Sequence, residues 1–299
     1  MNIVVFGAGA IGSLFGAQLS KNNNVLLIGR KPHILSIKKN GLSIKGKTNL
    51  KVKINGEDSI DNIKFKPDIL ILTVKSFDTQ QAILQAKKII GENTIVLSLQ
   101  NGLDNIDKIK QCIGYENIIA GVTTHGAFIS KPGVILHTGR GSTILGELNG
   151  KKTKRIVEII NCFNKSGIKT VFSKDIIKEI WGKTIVNSSI NPLTAIFSCK
   201  NGYLLKNPVL EKILEKTCIE SCTIARAEKI NISCKNALEK TKDVIRKTSE
   251  NYSSMLQSLK KDGRTEIESI NGKLVEIGKK QNVETLLNET LIYSIKSLI

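Results

Sequence analysis

The run Asn2-Ile-Val-Val-Phe6, followed at once by Gly7-Ala-Gly9-Ala-Ile-Gly12 and then by Ser13-Leu-Phe-Gly-Ala-Gln-Leu-Ser20, decides the architecture of the chain. A short apolar β-rich segment, three closely spaced glycines and a largely apolar segment read as strand, tight turn and helix. Alone, G-x-G-x-x-G is a weak signal. Here a strand precedes it, a helix follows, and a second β-run, Asn24-Val-Leu-Leu-Ile28, arrives next, which is the context a dinucleotide-binding βαβ unit requires. In that reading Gly7 permits the turn and Gly9 lets the backbone approach a pyrophosphate. Gly12, with Gly16 one helical turn later, lets the helix lie close to the sheet. The free N–H groups at the helix start would face the anion.

Moving outward, Ile28 is followed by Gly29, Arg30 and Lys31. A carboxylate at this point would take the ribose 2′-hydroxyl of NAD, whereas a basic residue accommodates a 2′-phosphate. The pattern therefore favours NADP, with the planar fork of Arg30 as the reader. The alternating segments Leu42-Ser-Ile44 and Leu50-Lys-Val-Lys-Ile54 predict a solvated hairpin without chemistry of its own. Asp68-Ile-Leu-Ile-Leu-Thr-Val74 is nearly continuous in apolar residues, as a parallel strand covered on both faces should be, and it ends in Lys75. Thr94-Ile-Val-Leu-Ser-Leu99 ends in Gln100-Asn101-Gly102, and Asn117-Ile-Ile-Ala-Gly-Val122 in Thr123-Thr-His125-Gly-Ala127. Ligands of open α/β sheets bind beyond the carboxyl ends of the strands, so three polar strand ends outline a cofactor cleft. Further β-rich segments (134–137, 142–145, 169–172) around a helix near 151–166 complete the domain.

After Ser173 the strand signals stop, and helices follow, punctuated by Asn191-Pro192, Lys200-Asn-Gly202, Asn207-Pro208 and Asp262-Gly263. The expected fold is α/β: an N-terminal Rossmann-like dinucleotide-binding domain over 1–170 and an all-helical substrate and catalytic domain over 171–299. In the helix from Ser173 to about Ile190, Lys183, Asn187 and Asn191 follow one another at i, i+4 and i+8. Such a stripe is either a solvent face or the wall of a polar site; the neighbours of Lys183 are Trp181, Gly182, Thr184 and Ile185 rather than further charges, which favours the site. Thr265 and Glu268 have capping-box spacing, which predicts Glu266 in a first helical turn, where the helix dipole favours its ionised form; on spacing alone Glu266 either belongs to a site or only complements that dipole.

Composition excludes several classes. With 299 residues, 40% of them hydrophobic and 24% charged, the chain is long enough for about two globular domains and too apolar for disorder. No apolar run approaches the ~20 residues of a membrane span, and the strand at Asn2 leaves no room for a secretory leader; a cytoplasmic protein without a membrane partner is expected. The six cysteines include no Cys-x-x-Cys, and Cys218 and Cys222 are an i, i+4 pair, so free structural thiols are expected. His33, His125 and His137 are scattered, and no metal site is expected. The net charge of +19 is spread over the whole chain in lysine pairs, while aromatics are only 4% and include Phe6, Phe15 and Trp181 within apolar segments. Stacking platforms for nucleic acid are therefore lacking, and no nucleic-acid partner is expected.

Taken in order, Gly7-x-Gly9-x-x-Gly12, Thr73-Val-Lys75, Gln100-Asn-Gly102, Thr123-Thr-His125, Trp181-Gly-Lys183 with Asn187 and Ile190-Asn-Pro-Leu-Thr-Ala195, Asn201-Gly202, Ser253-Ser-Met255 and Arg264-Thr-Glu-Ile-Glu-Ser-Ile-Asn-Gly272 resemble the ketopantoate reductase (2-dehydropantoate 2-reductase) family over nearly the whole chain. The resemblance implies an oxidoreductase that uses NADPH to reduce the C2 ketone of 2-dehydropantoate to pantoate, on the route to coenzyme A. It implies Lys183 as catalytic lysine and general acid, and Glu266 as the carboxylate that contacts cofactor and substrate. Gly7, Ala8, Gly9, Ala10, Ile11 and Gly12 would hold the pyrophosphate, with Arg30 near the adenosine phosphate. Lys75, Asn101 and Ala127 would line the nicotinamide side. Substrate-binding positions are Asn101, Lys183, Asn187, Asn191, Asn201, Asn251, Tyr252, Ser253 and Ser254. A monomer or homodimer acting on a small-molecule substrate is expected. The alternatives are a reductase of the same fold for another small 2-oxo acid, and a non-catalytic NADP-binding regulatory protein, which would have no need of Lys183 and Glu266.

Overall fold

The computed structural model describes residues 1–299, which divide into two compact units. The first comprises 1–100 and 105–176. Its strands are β1 (Asn2–Phe6), β2 (Asn24–Ile28), β3 (Leu42–Gly46), β4 (Leu50–Val52), β5 (Asn55–Glu57), β6 (Ile69–Leu72), β7 (Ile95–Ser98), β8 (Ile118–Thr123), β9 (Gly126–Lys131), β10 (Val134–Gly139), β11 (Thr143–Glu147) and β12 (Thr170–Phe172). Its helices are α1 (Ala10–Leu19), α2 (Lys31–Asn40), α3 (Thr79–Ala86), α4 (Asn105–Ile113) and α5 (Lys154–Lys165). Eight strands form one sheet in the order β12-β11-β8-β7-β6-β1-β2-β5, with every pairing parallel except β8 with β11.

Successive side chains of a strand point to opposite faces, and the central strands use both. Ile3, Val5, Ile69, Ile71 and Leu97 pack in one apolar cluster with Phe15 of α1 and Phe163 of α5, while Val4, Leu70, Leu72 and Val96 pack in another with Ile83 and Ile109. This double burial is why Asp68–Val74 reads as an unbroken apolar run.

The 42–54 segment differs from expectation. Its strands β3 and β4 join β9 and β10 in a second, four-stranded sheet, and Ile44 of β3 aligns with Ile135 of β10. The hairpin forms, with Leu42 and Ile44 buried on one face while Lys45, Lys51 and Lys53 stay exposed, so it is solvated on one side only and packs through the other. At the end of β11 the buried carboxylate of Glu147 accepts two bonds from the Arg155 guanidinium (2.7 and 2.6 Å) and one from Thr153 Oγ1 (2.5 Å).

The second unit comprises 101–104 and 177–299. It contains α6 (Ile176–Ile196), α7 (Tyr203–Lys206), α8 (Pro208–Ala227), α9 (Cys234–Lys247), α10 (Ser254–Asp262), α11 (Lys273–Lys280) and α12 (Leu286–Lys296). The division falls after Ile176 rather than after residue 170, because β12 adds to the sheet of the first unit through β11. Asn101–Asp104 belongs with the helices: Leu103 packs in the cluster of Trp181, Ile185 and Leu274, and its N–H donates to Ser269 O (3.0 Å). Gly102 stands at φ +98°, and a Cβ there would lie 2.7 Å from Ser269 O, so a side chain is excluded twice over.

Three helical expectations are corrected. The helix read as ending at Asn191-Pro192 continues through Pro192 to Ile196; Val186, Ile190 and Leu193 pack in one apolar cluster on it, and the carbonyl that Pro192 leaves without a helical donor is met from elsewhere in the chain. The Thr265–Glu268 capping box does not form: Thr265 Oγ1 is buried without a partner, and a π-helical turn spans Glu268–Gly272. Cys222 and Cys234 are not free thiols, for they form a disulfide between α8 and the first residue of α9, with Cα atoms 5.5 Å apart. The i, i+4 spacing of Cys218 and Cys222 drew attention to the wrong pair, because the partner arrives only after the chain reverses at 228–233. Denatured without reductant, the protein is expected to titrate four thiols, and all six cysteines after reduction. Six thiols without reductant would show the pair to be open.

Candidate active site

In the first unit, the registers Phe6–Ile28, Phe6–Leu72, Leu72–Ser98 and Ser98–Ala120 align the carboxyl ends of β1, β2, β6, β7 and β8 along one edge. The glycine turn lies on that edge. The N–H groups of Gly7 and Ala8 both donate to Ile28 O (3.0 and 2.7 Å), and Thr73 Oγ1 donates to Gly7 O (2.8 Å), which ties the turn to β2 on one side and β6 on the other. Gly7 stands at φ +109° and a Cβ at Gly12 would meet Gly7 O at 2.2 Å, so both positions demand glycine.

Gly9 is different. A Cβ there would meet nothing nearer than Gly7 O at 3.8 Å, which leaves the space before the start of α1 open. Gly9 precedes Ala10, Ile11 and Gly12 as the N-cap of α1; no side chain caps the helix and no carboxylate stands in its first turn. An open N-terminus without anionic competition fits a pyrophosphate. Arg30, exposed, is the N-cap of α2 just beyond β2. Lys75 stands three residues beyond β6 as the N-cap of a short 3-10 turn, and Ala127 lies in β9 opposite His137 of β10. The polar strand ends thus lie on one edge, as the spacing of the segments required.

One pair on this edge was not singled out from the sequence. His125 Nδ1 lies 3.1 Å from His137 Nε2, and His137 Nδ1 lies 2.9 Å from Thr48 Oγ1. Burial, with the neighbouring His137 ring adding to it, pushes His125 down to about 4, and burial lowers His137 as well, so both rings are neutral near pH 7. The alternation of β10, which turns His137 inward, was the signal available.

In the second unit, α6 carries Lys183, Asn187 and Asn191 as an axial stripe. Lys183 and Asn187 are partly buried and Asn191 is buried. Loss of water pulls the Lys183 ammonium down to about 8, and the negative charge of Glu266 acts in the opposite direction. Glu266 is itself only 7% exposed, and Asn101 Nδ2 donates to its Oε2 (3.4 Å). Lys183, Glu266 and Asn101 are therefore together, although they are far apart in the chain.

The remaining substrate candidates separate by role. Asn201 is buried; its Nδ2 donates to Thr248 Oγ1 (2.9 Å), its backbone N–H to Asn251 O (3.0 Å), and its Oδ1 has no partner. A buried amide oxygen left open suits a ligand hydroxyl. Ser253 is the N-cap of α10, accepting from Leu256 N–H, and its Oγ also accepts from Thr194 of α6 (2.7 Å), so its oxygen is engaged in holding α10 to α6. Tyr252 is 46% exposed and stacks under Lys260 (5.3 Å to the ring centroid), and Ser254 is exposed.

Residues 3–150 match the family described as Ketopantoate reductase PanE/ApbA, and residues 175–298 match Ketopantoate reductase PanE/ApbA C terminal. The 2-dehydropantoate 2-reductase of Pyrococcus horikoshii is 42% identical over 298 residues, covering 99% of this chain and 97% of that protein. That of Aquifex aeolicus is 33% identical, covering 99% and 96%. Among solved structures, D-mandelate dehydrogenase with NADH and anilino(oxo)acetate superposes with a TM-score of 0.94 at 28% identity, covering 100% of this chain and 98% of that one. A PanE/ApbA family ketopantoate reductase from Ralstonia eutropha superposes with a TM-score of 0.92 at 26% identity, with the same coverage. Likeness at this level runs through both units and over the full length of the relatives, so the chain belongs to the ketopantoate reductase family.

Proposed function

We propose that this chain reduces the C2 ketone of 2-dehydropantoate to the alcohol, with NADPH preferred over NADH. The observation that carries the reading is an ammonium, Lys183, held in a water-poor site beside the buried Glu266. In this reading the sheet unit, 1–170 by the sequence boundary, holds the dinucleotide and the helical unit holds the substrate. Gly7 to Gly12 cradle the pyrophosphate, Arg30 reads the 2′-phosphate, and Lys75 and Ala127 face the nicotinamide half.

When bound, the dinucleotide supplies the hydride. Lys183 holds a proton at Nζ, stabilises the charge that develops on the carbonyl oxygen, and gives that proton to it. Glu266 holds the ammonium in place and, with Asn101, accepts or donates to substrate hydroxyls. Asn187 and Asn191 carry paired donors and acceptors without charge and are suited to the substrate's hydroxyl and carboxylate. Asn201 offers its open Oδ1 to a hydroxyl. Asn251, Tyr252 and Ser254 border the same segment, and Ser253 supports it through Thr194.

The test is NADPH oxidation followed by absorbance with 2-dehydropantoate, 2-ketoisovalerate, oxaloacetate and an aryl 2-oxo acid side by side. A clear preference for 2-dehydropantoate is expected. The resemblance to D-mandelate dehydrogenase supports a second reading, reduction of an aryl 2-oxo acid, and preference for that substrate would replace the first. Arg30→Ala is expected to weaken NADPH binding by about tenfold or more, the worth of a charge-assisted bond, and NADH binding much less. Equal losses for the two dinucleotides would remove Arg30 from the 2′-phosphate.

A further inference from the structure

Pro192 lies inside α6 and has no N–H. In an α-helix the N–H of residue 192 would donate to the carbonyl of residue 188, so Ser188 O loses its intrahelical donor. Ser188 is fully buried, where an unmet carbonyl is costly. The missing bond comes from elsewhere in the chain. Asn271 Nδ2 donates to Ser188 O (3.1 Å) and to Asn288 Oδ1 (2.9 Å). Both partners are acceptors, since Asn288 Nδ2 is itself donating to Glu220 Oε1 (2.7 Å), and this fixes which way the Asn271 amide points. Asn288 is held in turn by its backbone N–H to Glu220 Oε1 (2.8 Å).

The placement of the two ends gives this bond a meaning. Ser188 follows Asn187 on α6, five residues beyond Lys183. Asn271 lies in the π-helical turn that follows Glu266, and Ile270 N–H donates to Glu266 O (3.1 Å). Single π turns recur at functional sites. We infer that Asn271 is a positioning residue, whose bond to the carbonyl opened by Pro192 fixes the Glu266 carboxylate relative to the Lys183 ammonium. The inference rests on the reductase reading above, since it assigns Lys183 and Glu266 to the reaction.

A purely structural role would end with satisfying Ser188 O, and this separates the two. Asn271→Ala removes the donor. Adding Pro192→Ala returns a backbone N–H to the same carbonyl. The two variants, Pro192→Ala alone and the wild type are compared by thermal unfolding and by kcat, KM and the pH profile of kcat with NADPH and 2-dehydropantoate. Asn271→Ala is expected to lower kcat by about 10–100-fold, as misplacement of a catalytic group does, with KM for NADPH nearly unchanged. In the double variant the thermal midpoint should recover while kcat stays low relative to Pro192→Ala, and the alkaline limb of kcat should move to lower pH as Lys183 loses part of the support of Glu266. Recovery of kcat together with stability would overturn the inference, as would an Asn271→Ala enzyme of normal kcat. If Asn271→Ala alone does not fold, the double variant, whose carbonyl is satisfied, decides by the same kcat and pH readings. An inactive wild type would instead refute the reductase reading.

Discussion

Lys183→Met is expected to lower kcat by about 10²–10⁴-fold, the usual worth of a positioned general acid, and to leave NADPH binding nearly intact. The same substitution is expected to raise stability. Burial holds the folded-state value of Lys183 at about 8, below its ordinary 10.5. A lysine whose value is depressed by folding binds its proton less readily in the folded state. It therefore costs stability at every pH below about 8, and the cost disappears as pH rises from 8 to 10.5. The full shift corresponds to a few kcal/mol at most, on the order of 3. Thermal unfolding at pH 7 and pH 10 tests this: the midpoint of the variant should exceed that of the wild type at pH 7, and the gap should close at pH 10. A variant that is less stable at both would show that the ammonium is not a strained group. With Lys183 as the proton donor proposed above, the rate of reduction by the wild type should fall as pH rises through about 8.

Arg155→Met carries the largest expected loss of stability, about 3–5 kcal/mol, because it strips the bidentate partner from the buried Glu147 carboxylate. Burial alone would push the Glu147 carboxyl up, but the bonds from Arg155 and Thr153 outweigh it and leave the value below the ordinary one. A carboxylate lowered in this way contributes stability that is present above about pH 4.5 and lost as pH falls through the folded-state value. The variant should unfold at lower urea concentration, and its stability should vary less with pH on the acid side. Glu147→Gln added to Arg155→Met should recover much of the loss. An unchanged unfolding midpoint for Arg155→Met would mean that Glu147 is solvated in the folded protein.

The parts of the fold that could be read from residues are those governed by local rules. Continuous apolar runs announced the buried parallel strands, and the polar residues after Leu72, Ser98 and Thr123 announced a shared edge because parallel strands place like ends together. The Lys183–Asn187–Asn191 stripe was legible because helical spacing alone puts those side chains on one face. What escaped depended on partners distant in the chain. Pro192 looks like a stop until the Asn271 amide is known to serve the carbonyl it opens. Cys234 looks unrelated to Cys222 until α9 folds back on α8. Leu42 and Ile44 look like part of an isolated hairpin until β3 is paired to β10. β5, with the sequence Asn55-Gly-Glu57, has no β-forming residue at all and is a strand only because β2 offers it an edge.

Asn101–Asp104 interrupts the sheet unit in sequence yet packs with the helical one. During synthesis this loop emerges long before Trp181, Ile185, Ser269 and Leu274 exist to receive it. Leu103 gains this packing only once the helices are in place. Chimaeras between relatives face the same constraint: exchanging residues after Ile176 alone would separate Leu103 and Gly102 from the surface they were fitted to. A helical half moved between relatives has to take these four residues with it.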